Sequence, residues 1–180
     1  MDPIKDTNPD TVEKNKMTIG LHRLQYNLQN IFQHGLHHRG DSLILIIPDF
    51  RFIFSMQKLL PHSTILRHIV TRPVQLTGGY FVQLCMSLHG DDEQNSDAIS
   101  LFFRISTYNE AFRGSCVFVV FNQSDWGVEH QASFRVVPKV EKKRFGLKRF
   151  IDHQSLDHGN LISNNRLAVG VNFKSTDFLS

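Results

Sequence analysis

The stretch FVQLCMSLHGDDEQNSDAISLFFRISTYNEAFRGSCVFVVF, residues 81–121, decides the fold. Val82, Leu84, Met86 and Leu88 fall on one face of an extended segment, and His89, Gly90, Asp91 and Asp92 read as the turn that ends it. Ile99, Leu101, Phe103 and Ile105 repeat the alternation. Arg113 and Gly114 interrupt it, and Val117, Val119 and Phe121 resume it up to the polar run Asn122, Gln123, Ser124 and Asp125. Apolar residues at every second position between turn-forming residues mark strands with one face in a core. The opposite faces carry Phe102, Cys116, Phe118 and Val120, so the strands are either sandwiched or present an apolar groove.

Outward from this stretch the pattern continues. Leu43 to Ile47 is an apolar run stopped by Pro48 and Asp49, and reads as the first buried strand. Gly78 and Gly79 mark a tight turn before Tyr80. Ala132 to Val137 reads as a further strand, and Leu167, Val169, Val171 and Phe173 alternate as the last. Residues 51–70 do not choose: Phe50, Phe52 and Phe54 alternate, but Ile53 lies between them. Seven or eight strands with short turns imply an antiparallel sandwich, with a barrel left open by patterning alone.

The amino-terminal region has a different period. Residues 1–17 are polar, hold Pro3 and Pro9, and are expected to be a disordered tail. Leu21, Leu24, Leu28 and Ile31 are spaced three, four and three apart, which places them on one side of a helix that Thr18 caps and Gly35 stops. Two uses of that stripe stay open. The helix lies on its own domain, or it ends a coiled-coil stalk and the four residues form an oligomerisation seam. His34, His37 and His38 close the segment without Cys partners and beside Gly and Arg, which reads as a solvated linker rather than a metal site. The expected organisation is therefore a tail over 1–17, helix and linker over 18–40, a sandwich over 41–175 and a tail over 176–180.

Composition excludes several function classes. The chain has 180 residues, enough for one core without metal or disulfide help, and a formal charge of +3, modest for a nucleic-acid binder. Cys85 and Cys116 both lie in apolar strands and are expected as buried free thiols, which favours a reducing, cytoplasmic setting. No run of apolar residues is long enough for a membrane span, and the start has no apolar signal region. Lys139, Lys142, Lys143 and Arg144, extended by Lys148 and Arg149, form a basic run that is either a solvated loop or a surface for acidic partners. HEXXH, Gly-x-Ser-x-Gly and Walker A patterns are absent, so neither an enzyme nor a cofactor is expected.

The order of motifs resembles that of the MATH domain, the TRAF-like C-terminal domain. "LILIIPDF" at 43–50 resembles its first strand, "GGYFVQLCMSLHGDD" at 78–92 its Gly-Tyr strand and turn, and "AISLFFRI" at 98–105 the next strand. "FGLKRFIDHQSLDHGNLISNNRLAVGVNF" at 145–173 is the most specific match. The resemblance implies an eight-stranded antiparallel sandwich, without catalysis, that binds short extended peptides. TRAF-type domains are similar to trimeric adaptors for receptor tails, and SPOP-type domains recruit ubiquitin-ligase substrates. The resemblance places the aromatic peptide groove on Phe102, Phe134, Phe145 and Leu147, with a further position at Cys116. It places a polar triad on Cys85, Ser87 and Asp91, of which only the acid matches. Lys142 and Lys143 would favour acidic or phosphorylated peptides. A homotrimer follows from the TRAF type. Two other functions stay open: a structural or oligomerisation domain without a peptide ligand, and a basic surface for anionic partners.

Overall fold

Alternating side chains close two sheets over one core in the computed structural model, which describes residues 8–60, 64–77, 79–106, 114–121, 128–136, 144–158 and 160–175. In chain order the first half comprises helix α1 (Pro9–Asn30), a π-turn (Ile31–Gly35), β1 (Leu36–Arg39), β2 (Ser42–Ile47), α2 (Phe50–Lys58), α3 (Thr64–Arg67), β3 (His68–Val70), β4 (Val74–Gln75) and β5 (Phe81–Ser87). The second half comprises β6 (Ala98–Ser106), β7 (Gly114–Phe121), β8 (Val128–Val136), β9 (Arg144–Asp152), α4 (His153–His158), β10 (Ile162–Ser163) and β11 (Arg166–Ser175). One sheet has the order β1-β2-β11-β7-β8 with β10 beside β11, and the other β3-β5-β6-β9 with β4 beside β5. All pairings described are antiparallel. The sandwich expected from the pattern is therefore the architecture, and the short strands β1, β3, β4 and β10 raise the strand number above eight.

Between the sheets, Phe103 of β6 meets Phe118 of β7 at 6.0 Å and Phe173 of β11 at 5.0 Å, edge-on to the latter. These rings, with Leu84, Met86, Leu101, Leu45 and Val169, are buried. The sequence reading assigns β7 the wrong inner face: Cys116, Phe118 and Val120 point inward, not Val117, Val119 and Phe121. Both faces of this central strand are apolar, so alternation could not choose. The outer face is closed by Gly170, where an added Cβ would come within 2.6 Å of the Phe121 ring and 3.0 Å of Val119. The missing side chain gives Phe121 room to fold over the sheet.

Residues 50–58 form a helix, not a strand. Phe50, Ile53, Met56 and Gln57 are its buried face. Asp49 ends β2 in a left-handed conformation with φ 53°. The first helical N–H groups are then met from far along the chain. Phe50 N donates to the Asn165 carbonyl at 2.9 Å, and Arg51 N to Asn165 Oδ1 at 2.9 Å. A helix start needs acceptors for its free N–H groups, and here they come from the turn between β10 and β11.

The amino-terminal helix is longer than expected and its stripe is used differently. It begins at Pro9, where Asn8 Oδ1 accepts the Asp10 N–H at 3.1 Å, so residues 9–17 extend the helix instead of belonging to a tail. Leu24 and Ile31 are fully buried, and Leu21 and Leu28 pack against the same core. The stripe thus lies on the chain's own domain, and Leu21, Leu24, Leu28 and Ile31 are not a free oligomerisation seam. Ile19 and Tyr26, seven residues apart on the side of α1 away from the stripe, are 69% and 68% exposed. Residues 36–39, expected as linker, pair with β2 through a turn at Gly40. His37 and His38 are exposed on that hairpin.

A polar seam joins α2, the β5–β6 connection and the start of α4. His89 Nε2 donates to the Phe54 carbonyl and His153 Nε2 to the Leu88 carbonyl, both at 2.6 Å. The two rings lie 5.1 Å apart, edge-on, with the Phe54 ring against both. Burial holds the His89 pKa below its usual value, against the hydrogen bond to Phe54 that raises it.

Two measurements check this account. Leu24→Ala should cost about 2–5 kcal/mol in chemical denaturation, while Ile19→Ala should stay within about 0.5 kcal/mol. For His89 the folded pKa lies below the unfolded one, so the unfolded chain binds the extra proton. Its contribution is complete above the unfolded value of about 6.5 and is lost as pH falls toward the lowered folded value. The urea midpoint should therefore drop between about pH 7.5 and pH 5.5, and drop less in His89→Gln.

Candidate functional site

The expected groove residues do not share one face. Along β6, Phe102 stands opposite Gly146 of β9, and Phe103 opposite Phe145. Paired residues share a face and neighbours alternate, so Phe145 is on the inner side with Phe103, whose ring it stacks on at 5.7 Å. Leu147, opposite Leu101, is on the same side. Both are half-buried at the β9 edge of the core. Cys116 stands opposite Phe134 and Phe173. It is fully buried, so it cannot line a surface groove as the sequence reading expected. Lys142 and Lys143 lie outside the described residues.

Phe102 belongs to the outer face. The β6 backbone, with the Phe102 ring beyond it, fills the space a side chain at Gly146 would need: an added Cβ there would lie 2.2 Å from the Leu101 carbonyl, 2.5 Å from Phe102 Cα and 2.9 Å from Phe102 Cδ1. Only glycine lets β9 approach β6 so closely at this point. The Arg144 guanidinium lies over the Phe102 ring, 3.7 Å from its centre. Next in the same row, Cys85 is paired with Phe102 on one side and Val70 on the other. Asp91 sits apart, in the turn after β5, where its N–H donates to Ser100 Oγ at 3.1 Å. The register of β6 and β9 shifts between Ile99 and Leu101, and Ser100 Oγ there donates to the Lys148 carbonyl at 2.5 Å.

Above this outer face lies a groove of about 910 Å³. Gln25, Leu28, Gln29, Phe32 and Gln33 form its wall, supplied by α1 and the π-turn. Its floor includes His68, Val70, Cys85, Arg104 and Arg144 from four neighbouring strands. His68 Nδ1 and Ser87 Oγ share a hydrogen bond at 2.5 Å. Burial lowers the His68 pKa, and Arg144, Arg67 and Arg104 lower it further against Asp91. Burial raises the Cys85 pKa although Arg104 and Arg144 pull it down, and burial alone pushes Cys116 up to about 12. Both cysteines are free. No cluster of three metal-ligating side chains occurs among the described residues, and no described helix is long and apolar enough to cross a membrane.

A family model of the MATH domain matches residues 45–173. The chain belongs to the MATH domain family. Among solved structures it is similar to TRAF5 of Notothenia coriiceps, with a TM-score of 0.62 and 18% identity over 96% of this chain and 89% of that one. At that identity the likeness is one of fold. No curated protein matches in sequence. A MATH domain is a protein-interaction module.

Sequence reading missed Arg104, His68 and the glutamines of α1 and the π-turn. Arg104 carried a signal, because it shares the parity of Phe102 and so the outer face. Gln25, Gln29 and Gln33 recur every fourth residue, the spacing of one helix face. For the thiols, Ellman's reagent at about pH 8 should modify Cys116 and Cys85 of the native MATH domain far more slowly than in denaturant. Rapid native labelling of Cys116 would show that the sheets open there.

Proposed function

We propose that this MATH domain is a non-catalytic adaptor that binds short, extended peptide segments of other proteins along the β9 edge. The reading rests on one observation: β9 ends its sheet, and Phe145 and Leu147 stand half-buried beside that edge. An edge strand offers unpaired N–H and C=O groups that an added strand satisfies, and neighbouring pockets select its side chains. Phe134 stands on β8, the edge strand of the facing sheet, in register with Cys116. A peptide anchor entering between these edges would meet Phe145 and Leu147 first. Receptor tails and ubiquitin-ligase substrates are the peptide classes that go with the family. Two buried free thiols suit a reducing compartment, and a cytoplasmic setting belongs to the same reading. Trimerisation through Leu24 and Ile31 does not, since both are already buried inside the chain.

A peptide array probed with residues 8–180 supplies ligands for the test. For a selected peptide, Phe145→Ala and Leu147→Ala should each weaken binding by about 1–3 kcal/mol. Phe145 also packs on the core, so its variant should melt lower, and Leu147→Ala is the cleaner reporter. Unchanged affinity in both variants, or an array without ligands, would remove the β9 edge from consideration.

A further inference from the structure

Three elements meet at two imidazoles. His89, just past β5, is buried, and its Nε2 donates to the Phe54 carbonyl of α2. His153 opens α4, and its Nε2 donates to the Leu88 carbonyl. A carbonyl only accepts, so each ring carries a proton on Nε2, and a further proton enters at Nδ1. The rings stand edge-on, 5.1 Å apart, with the Phe54 ring 4.3 Å from His89 and 4.8 Å from His153. A proton taken up by His89 thus places a cation in a site shielded from water. The charged groups around it do not compensate. Burial lowers the His89 pKa, and His153 from α4, Lys58 from α2 and Arg67 from α3 lower it further, against the Phe54 hydrogen bond. Arg67 Nη2 also donates to the His89 carbonyl at 3.3 Å. The nearby carboxylates are engaged elsewhere. Arg149 holds Asp97 and Asp152 beside His153, Lys148 holds Asp92, and Arg51 holds Asp157 of α4. Asp91 acts on His68 instead.

We propose that His89 and His153 form a proton-operated latch, which holds α2 on the end of β5 while both rings are neutral and releases it in mildly acidic solution with the two sheets still closed. The released form binds the extra proton more readily, because its His89 is hydrated and away from Lys58, Arg67 and His153. The latch is therefore complete above the unfolded histidine value of about 6.5 and weakens as pH falls toward the lowered folded value. The sheets stay closed because the rings between them, Phe103, Phe118 and Phe173, do not titrate. α2 in turn seats α1: Met56 packs against Gly20, and Asp49, just before α2, accepts from Arg23 and Asn27. Proton uptake therefore reaches the α1 wall of the outer groove without touching it. This latch does not depend on the β9-edge reading.

Hydrogen exchange of the full chain, read by mass spectrometry at about pH 7.5 and about pH 5.5 and corrected for intrinsic exchange rates, tests the latch. At the lower pH, residues 50–58 and the part of α1 around Gly20 should lose protection several-fold, while β7 and β11 keep theirs. His89→Gln retains an N–H donor for the Phe54 carbonyl but does not titrate, so its α2 should exchange alike at both pH values. His153→Gln removes one of the groups that oppose a charge on His89, so it should shrink the change. A proton–nitrogen correlation spectrum of the unmodified chain gives a readout that needs no variant. In it His89 should be neutral and protonated on Nε2 at the higher pH, and should titrate below its value in denaturant. The proposal is overturned by equal α2 protection at both pH values, by a loss spread evenly over β7 and β11, or by an undiminished pH effect in His89→Gln. A His89 that is charged at the higher pH, or that carries its proton on Nδ1, overturns it as well.

Discussion

The seating of α1 on α2 is the contact on which the outer groove depends. Leu24 supplies the apolar part, and burying such a side chain contributes about 1.5–3 kcal/mol. Asp49 fixes the angle. Its Oδ2 accepts hydrogen bonds from Arg23 Nε at 3.1 Å, Arg23 Nη2 at 2.5 Å and Asn27 Nδ2 at 3.1 Å. Its Oδ1 accepts from Asn165 Nδ2 at 3.2 Å. One carboxylate thus joins α1, the start of α2 and the turn before β11. The Arg23 side chain is more than half exposed, so this ion pair adds little stability. Its consequence is geometric, and the Arg23 guanidinium resting 4.0 Å from the centre of the Phe52 ring points the same way. Gly20 completes the approach, since an added Cβ would meet Met56 Cε at 3.0 Å.

The two faces of the β3-β5-β6-β9 sheet have separate chemistry because register separates them. Inward, Phe103, Phe145 and Leu101 continue the core. Outward, Phe102 and Arg144 stack over the bare backbone of Gly146. Beyond the register shift at Ser100, Lys148 and Arg149 meet Asp92 and Asp97 of the β5–β6 connection. Hydrogen bonds from these cations hold the Asp92 and Asp97 carboxyls below the ordinary carboxylate range. A basic run in the sequence therefore splits in the fold. Part of it is neutralised at the surface, and Arg144 is left facing Arg104.

Much of the sandwich was legible because period-two alternation is a direct image of a half-buried strand. It failed where both faces are apolar, as in β7, since Gly170 and Phe121 meet only across strands. It failed again at 50–58, where three alternating phenylalanines suggest a strand but Asn165, far along the chain, satisfies the first turn of a helix. The Leu21–Ile31 stripe was legible as a helix face, but nothing local says what covers it. The site was less legible. A family pattern could name Phe102, Phe145 and Cys116 together, but a one-residue step in β6 puts Phe102 and Phe145 on opposite sides of a sheet, and Cys116 lies inside the core.

The groove and the helix that walls it are one thermodynamic object. Leu28 and Phe32 follow Leu24 by four and eight residues on the same stretch of chain, and Gln25 is its neighbour. If Leu24 leaves its site, the wall leaves with it, and Arg104 and Arg144 become an open basic surface. Any ligand that touches both wall and floor binds only the seated arrangement, so it must stabilise that arrangement in proportion to its occupancy. The reverse also holds: interactions at Asp49 that favour seating raise affinity at a groove they do not touch.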